Sequence, residues 1–279
     1  MMSHAIPDAS LRDAVIALAR TAAAAILDVY QRPFDVEHKD DDSPLTAADL
    51  ASHRVIVDGL SRLTPEIPVL SEESAEDVSA ARREWNRLWL VDPLDGTREF
   101  VKRNGEFTVN IALIEDGVAV FGVIQAPVTG ELWWGMSGQG GSGQGAYKRD
   151  AEGRDAPLRV RAPAQAPLRV AASRSHRDAR TEAFMTRMAE DMGEFESASV
   201  GSSLKFCRIA EGGIDLYPRF GPTSEWDTAA AQAILEGAGG AVVDPQGRPF
   251  RYNQRARILN GDFIALGDTA LPWQRWLEP

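Results

Sequence analysis

A layered mixed α/β fold is predicted by three observations. The first half of the chain carries short apolar segments separated by turn residues, the pattern of an antiparallel sheet. The second half alternates strand-like and helix-like segments, which points to helices layered on a sheet. No segment repeats at a period of 20 to 50 residues, so a solenoid or propeller is not expected.

The elements follow in order. Residues 9 to 30 read as an amphipathic helix, with Leu11, Val15, Leu18, Ala22, Ile26 and Val29 at helical spacing. Thr46 to Leu63 is a second helix with Val55, Ile56 and Leu60 inward. Val69-Leu70 is a short strand running into Ser71-Glu72-Glu73-Ser74, and Leu88 to Val91 is another strand. Phe107 to Ile114 and Val118 to Gln125 flank Glu115-Asp116-Gly117, a hairpin signal. Glu131 to Gly135 and Ala146 to Arg149 continue the antiparallel sheet. Between them, Gly138 to Gly145 lacks the Lys-Ser or Lys-Thr of a phosphate-cradling loop and reads as a flexible hairpin connection. Residues 150 to 167, rich in Pro, Ala and Arg, read as a domain junction. Beyond it, Leu168 to Ala172, Ile214 to Leu216, Ala241 to Val243 and Phe263 to Leu266 read as strands. Asp178 to Met192, Ser202 to Ala210 and Asp227 to Glu236 read as helices.

A chain of 279 residues, 44% hydrophobic and 25% charged, can bury a large core as one large domain or two intimate ones. The formal charge of −11 argues against a nucleic acid polymer as partner. It leaves room for a small phosphorylated substrate, because bound cations invert the local field. The single cysteine, Cys207, forms no intrachain disulfide and fits a reducing compartment. No apolar run reaches the roughly 18 residues of a membrane span. No signal peptide is expected, since Ala22 to Leu27 is short and flanked by Arg20 and Asp28. A cytoplasmic location follows, with peripheral association to the inner membrane left open, and monomer and homodimer are both compatible.

The segment Asp92-Pro93-Leu94-Asp95-Gly96-Thr97 carries the most chemical information. Two carboxylates leave an apolar strand and enter a turn in which Pro93 fixes φ and Gly96 permits unusual dihedrals. Both carboxylates and a free carbonyl can then face one spot, an oxygen donor set suited to hard divalent cations. Thr97 adds a hydroxyl, and the backbone N–H groups after it can open a helix and hold an anion. An ordinary turn has the same composition.

Three other segments could converge on that spot. Thr46-Ala47-Ala48-Asp49 also fits a capping box, Glu72-Glu73 a solvated turn, and Asp227 a helix N-terminus complementing the dipole. Together with Asp92 to Thr97 they are better explained by a metal-assisted phosphate site. A glycoside hydrolase would use two carboxyls without metal, which leaves the further acids unexplained.

In this order, Thr-x-x-Asp, Glu-Glu-Ser, Asp-Pro-Leu-Asp-Gly-Thr and Trp226-Asp227-x-Ala-Ala, the chain resembles the inositol monophosphatase superfamily of magnesium-dependent, lithium-sensitive phosphatases over about residues 10 to 267. Glu99 to Leu113 and Ser173-Arg174-Ser175-His176 look most like the bacterial 3′(2′),5′-bisphosphate nucleotidases of sulfur assimilation. Inositol monophosphatases usually carry a sequence closer to Thr-Asn-Phe-Val-His after the Asp-Gly-Thr. The resemblance implies an α-β-α-β-α sandwich, with an N-terminal α+β part over residues 1–160 and a C-terminal α/β part over 161–279. It implies two or three Mg2+ ions held by Glu72, Asp92, the Leu94 carbonyl, Asp95 and Asp227. It implies Glu73 and the Thr97–Asp49 pair as the groups that orient or deprotonate the attacking water, and the Gly96 and Thr97 amides as phosphate contacts. Ser173, His176, Ser202, Lys205 and Asp227 align with substrate contacts. The reaction implied is removal of the 3′-phosphate of adenosine 3′,5′-bisphosphate, or of its sulfated form. The alternatives are an inositol or sugar monophosphatase, and a non-catalytic protein that binds phosphate through metal.

Overall fold

Asp8 caps the first helix by accepting a hydrogen bond from the Leu11 N–H at 2.8 Å. The structure, a computed structural model, describes residues 7–33, 36–38, 44–74, 80–137, 145–172 and 179–277. Helix α1 (Ala9–Tyr30) packs on α2 (Ala47–Leu63), with the Leu18 side chain seated over Gly59, where a Cβ would lie 2.4 Å from its Cδ1 and displace it. Strands β1 (Val36–His38) and β2 (Pro44–Thr46) form a small antiparallel ribbon.

Seven strands follow in one sheet, in chain order: β3 (Val69–Ser71), β4 (Arg87–Asp95), β5 (Thr108–Glu115), β6 (Val118–Gln125), β7 (Leu132–Met136), β8 (Gly145–Arg149) and β9 (Asp155–Pro157). Only the β3–β4 pair is parallel. A five-stranded sheet has the order β11-β10-β12-β14-β13, from β10 (Leu168–Ala172), β11 (Phe195–Ser199), β12 (Leu216–Arg219), β13 (Ala241–Val243) and β14 (Phe263–Leu266). The remaining helices are α3 (Thr97–Val101), α4 (Ala179–Met192), α5 (Leu204–Ala210) and α6 (Glu225–Gly237).

The pleat of each strand sorts its side chains into layers. Trp89, Val91, Ile111 and Leu113 face α1 and α2, whereas Leu88, Leu90, Ala112 and Ile114 face the interior shared with α5 and α6. In the second sheet Ala171, Tyr217, Phe263 and Ala265 face that same interior. Val170, Leu216, Ile264 and Leu266 face outward, beneath α4 and a 3-10 helix at Trp273–Trp276. The result is an α-β-α-β-α sandwich, the architecture expected above.

Helix α6 lies directly on the first sheet. A Cβ at Gly122 would stand 2.3 Å from the Ala230 carbonyl oxygen, one at Gly135 2.6 Å from Ile234 Cα, and one at Gly237 2.6 Å from the Gly145 carbonyl oxygen. Gly122 and Gly135 are direct partners in the β6–β7 ladder. Residues 230, 234 and 237 therefore form one helical stripe pressed on backbone. Helix α5 is tied to the same sheet by Glu211, which accepts from Lys148 Nζ at 2.8 Å and Trp133 Nε1 at 2.9 Å.

Several boundaries depart from expectation. The strand expected at Ile214 to Leu216 runs from Leu216 to Arg219, because its partner β14 pairs Leu216 with Leu266 and Arg219 with Phe263. Ser202 is not helical: its φ of 42 places it in the left-handed region, and α5 begins at Leu204. Helix α6 starts at Glu225, capped by Ser224, so Asp227 sits inside its first turn. Within the expected junction of residues 150 to 167, Asp155–Pro157 forms the edge strand β9. Strand β11 was not expected, because Phe-Glu-Ser-Ala-Ser at an edge shows little apolar pattern. Residues 138–144 of the glycine-rich connection lie outside the described residues. Among the described residues no helix is long and apolar enough to cross a membrane.

Candidate active site

The site is built around a bulge in β4. Asp92 pairs with Asn110 and Asp95 with Thr108, so β4 carries one residue more than β5 across this step. Pro93 contributes no N–H to the ladder, and its carbonyl accepts the Ser52 hydroxyl of α2 at 2.7 Å. The Leu94 N–H donates to Asp92 Oδ1 at 3.0 Å, which folds the strand end over. Gly96 then adopts φ 92, a left-handed conformation favourable to glycine, and starts α3. Ser71 is the partner of Val91 in the parallel β3–β4 ladder, and the Glu72 N–H donates to the Val91 carbonyl at 3.1 Å. Glu72 is thereby brought beside Asp92. Glu73 follows in the same turn, close enough to His53 to raise its pKa, although burial leaves His53 lowered on balance.

Asp227 arrives from the other side on α6, its Oδ2 accepting the Ser224 N–H at 2.8 Å in a capping box. The helix-start reading of this segment is therefore present, and the same residue faces the bulge. Burial, then Glu72, Asp95 and Asp227, push the Asp92 carboxyl well above the usual carboxylate range. Burial and then Asp95 do the same to Asp227. Asp95 Oδ2 accepts from the Ser203 N–H at 2.7 Å and the Ser203 hydroxyl at 2.6 Å. The Asn110 amide donates to Ser203 Oγ at 2.8 Å, locking that hydroxyl in place.

Asp49 also serves twice. Its Oδ2 accepts the Thr46 N–H at 2.8 Å and hydroxyl at 2.7 Å, the capping box of α2. The Thr97 hydroxyl stands 3.3 Å from both Asp49 Oδ1 and the Leu94 carbonyl oxygen. A cap-fixed carboxylate and a hydroxyl are thus aligned along the edge of the carboxylate cluster.

A cleft of about 150 Å³ opens beside Asp95, Gly96 and Asp227. Ser202, Lys205 and Arg219 line its wall. The Lys205 ammonium donates to the carbonyls of Val200 at 3.2 Å and Ser202 at 2.8 Å, and burial pulls it down to about 8. Lys205 therefore holds the 200–202 loop in its sharp turn.

The donor set suits a hard cation: carboxylates from Glu72, Asp92, Asp95 and Asp227, with a peptide carbonyl at Leu94. Like charges crowded at this degree of burial call for a compensating cation. In the arrangement present, Asp92, Asp95 and Asp227 accept hydrogen bonds from neighbouring protein groups. Among the described residues no group of three or more His, Cys, Asp or Glu side chains is arranged to hold a metal ion as it stands.

With this geometry in view, a family model described as "Inositol monophosphatase family" matches residues 8–269. The chain belongs to the inositol monophosphatase family. It is 48% identical over 253 residues to the 3′(2′),5′-bisphosphate nucleotidase CysQ of Escherichia coli strain K12, covering 90% of this chain and 97% of that one. It is 33% identical to the CysQ of Haemophilus influenzae, covering 95% of each chain. Among solved structures, CysQ of Bacteroides thetaiotaomicron superposes with a TM-score of 0.76 at 42% identity, over 91% of this chain and 96% of that one. An IMPase of Thermotoga maritima gives a TM-score of 0.72 at 25% identity, over 91% of each.

The family members' likeness covers every segment named above, but two expected substrate contacts, Ser173 and His176, lie outside the described residues. Ser203, Asn110 and Arg219 stand in the site without having been singled out by the sequence. Ser203 precedes an apolar helical run, a cap signal that could have found it. Asn110 sits in a continuous strand pattern, and nothing local marks it.

Proposed function

We propose that this chain is a magnesium-dependent 3′(2′),5′-bisphosphate nucleotidase, removing the 3′-phosphate of adenosine 3′,5′-bisphosphate to leave AMP. The observation that carries the reading is the convergence of Asp92 and Asp95 on β4 with Asp227 on α6, beside a cleft with a cationic wall. The relatives named CysQ support the substrate. Glu72, Asp92, Asp95, Asp227 and the Leu94 carbonyl would hold two or three Mg2+ ions. When bound, such cations lower the pKa of water and stabilise charge on a phosphoryl group.

The protein's own part is positioning. The Asp49 carboxylate, fixed by its cap, accepts a hydrogen bond from the Thr97 hydroxyl and leaves the Thr97 oxygen free to accept one from water. Glu73 stands as the second group that orients or deprotonates that water. The Gly96 and Thr97 N–H groups open α3 toward the scissile phosphate. No nucleophilic side chain is required, and burial pushes the Cys207 thiol well up, which keeps it protonated and inert. A buried, reduced thiol also fits the cytoplasm as the compartment of this reading.

The test is turnover of adenosine 3′,5′-bisphosphate, inositol monophosphate and a sugar phosphate, each with magnesium and with excess chelator. Preference for the bisphosphate, abolished by chelation and restored by magnesium, is the expected result. Preference for inositol monophosphate would shift the substrate and keep the chemistry. Absence of turnover with all three would leave a binding protein, and full activity in chelator would remove the metal mechanism.

Thr97→Ala separates chemistry from binding. A hydroxyl that orients water acts mainly in the transition state, so kcat should fall with little change in KM. A raised KM at unchanged kcat would make Thr97 a substrate contact instead.

A further inference from the structure

One face of α2 touches three separate parts of the carboxylate site. Asp49, Ser52 and His53 fall at i, i+3 and i+4, so their side chains leave the helix on one side. Asp49 Oδ1 meets the Thr97 hydroxyl at the start of α3. The Ser52 hydroxyl donates to the Pro93 carbonyl inside the β4 bulge. His53 Nδ1 shares a hydrogen bond of 2.9 Å with the Ser71 hydroxyl at the end of β3, the residue before Glu72. Ile56, one turn on from Ser52, is buried in the core that holds Val91 and Leu94, which seats the helix against β4.

The site carboxylates are not all held alike. Asp92 and Asp95 belong to β4, whose ladder to β5 fixes them, and Asp49 and Asp227 are fixed by capping boxes. Glu72 and Glu73 stand in a turn that leaves a three-residue strand at the edge of the first sheet. Two hydrogen bonds close that turn on itself: the Ser74 N–H donates to the Ser71 carbonyl at 2.9 Å, and the Ser71 N–H donates to Ser74 Oγ at 3.0 Å. They shape the turn without placing it. The Glu72 N–H ties it to the Val91 carbonyl of β4. The His53–Ser71 bond ties it to a second element, α2. Ser71 is buried, so loss of the imidazole would leave its hydroxyl with the desolvation cost of an unmade bond. The charge of Glu73 is felt at the His53 ring, which places the imidazole near that carboxylate as well.

We propose that His53 is a positioning residue that sets the Glu72–Glu73 turn in register with the β4 bulge. This rests on the metal-dependent nucleotidase reading above and deepens it. A single rigid helix then gauges two distances: Thr97 from the bulge through Asp49, and the Glu72–Glu73 turn from the bulge through His53. The imidazole acts through Ser71 on the direction in which the two glutamates point, and partners of this kind typically matter about 10- to 100-fold in metal affinity or activity.

Asparagine places a polar atom where Nδ1 stands, whereas glutamine carries its polar atoms one bond further out. The experiment compares wild type with His53→Leu, His53→Asn, His53→Gln and Ser71→Ala, each with a thermal melt. Magnesium binding is measured by calorimetry without substrate, and kcat and KM for adenosine 3′,5′-bisphosphate at saturating magnesium. Magnesium affinity should fall about 10-fold or more in His53→Leu and in Ser71→Ala, recover in His53→Asn, and stay low in His53→Gln. The rate should follow the same ranking in kcat, with KM little changed. The double variant His53→Leu with Ser71→Ala should lose no more than either single one, because each removes the same bond. A role in packing alone would lower the melting temperature without ranking asparagine above glutamine. Wild-type magnesium affinity in a folded His53→Leu, no advantage of asparagine over glutamine, or multiplying losses in the double variant would overturn the assignment. If His53→Leu does not fold, Ser71→Ala and the asparagine–glutamine pair decide. A wild type that binds magnesium and follows this ranking, yet hydrolyses inositol monophosphate and not the bisphosphate, would defeat the nucleotidase reading and keep this one. A bisphosphate nucleotidase indifferent to His53 would do the reverse.

Discussion

Asp95→Asn should reduce kcat/KM by about 100-fold or more, roughly 3 kcal/mol of transition-state stabilisation, while the protein stays folded. Asp95 Oδ2 is committed to Ser203, from both its N–H and its hydroxyl. An asparagine oxygen can take over those two bonds. Its amide nitrogen then stands where the second carboxylate oxygen was, a donor where an oxygen ligand is needed. The same change removes one negative charge from a crowded set in which Asp95 raises both Asp92 and Asp227. Relief of that repulsion offsets any weakening of the Ser203 bonds, so the melting temperature should hold within a few degrees. Steady-state kinetics and a thermal melt on one preparation test both halves. An unchanged rate, or an unfolded protein, would remove Asp95 from the proposed metal set.

Gly122→Ala should destabilise the fold by about 3 kcal/mol or more, a large effect for one methyl group. The added carbon would meet the Ala230 carbonyl oxygen at 2.3 Å, and that atom is backbone of a helix pinned on the other side by the second sheet. Relief requires lifting α6 as a body, and α6 carries Asp227, so activity should fall with stability. Gly261→Ala is the control: nothing lies within 4 Å of its Cβ, and it should melt within about 0.5 kcal/mol of wild type. Chemical denaturation of the three proteins decides the matter. A Gly122→Ala protein as stable as the control would mean that the helix does not press on the sheet.

The layered architecture was legible where burial is one-sided or complete. The hairpin at Glu115-Asp116-Gly117 and the helical stripes of α1 and α2 each leave a periodic trace, and the structure places them where that trace does. What escaped is held by main-chain pairing or by distant partners. Strand β11 is a polar edge set in register by its parallel ladder to β10. Arg219 reads as a lone arginine until the fold sets it on the wall of a cleft begun over a hundred residues earlier. Asp49 and Asp227 were ambiguous between helix cap and site residue, and the structure makes each a cap and brings each to the cluster. The ambiguity was physical: a cap is how the chain fixes a carboxylate without adding a residue for the purpose.

The stripe of α6 on Gly122, Gly135 and Gly145 sets how this enzyme can change. The alanines at 229 to 231 and 233 and the glycines beneath them are one volume-matched set, with no solvent-facing direction in which a larger side chain could turn. The frame that carries Asp227 is therefore closed to gradual variation. The wall formed by Ser202 and Arg219 belongs to a loop and a strand end outside that set, so one residue there can be exchanged without repacking the helix. The shape of the cleft is thus separable from the packing that holds the carboxylates, and its wall can be redesigned with the frame untouched.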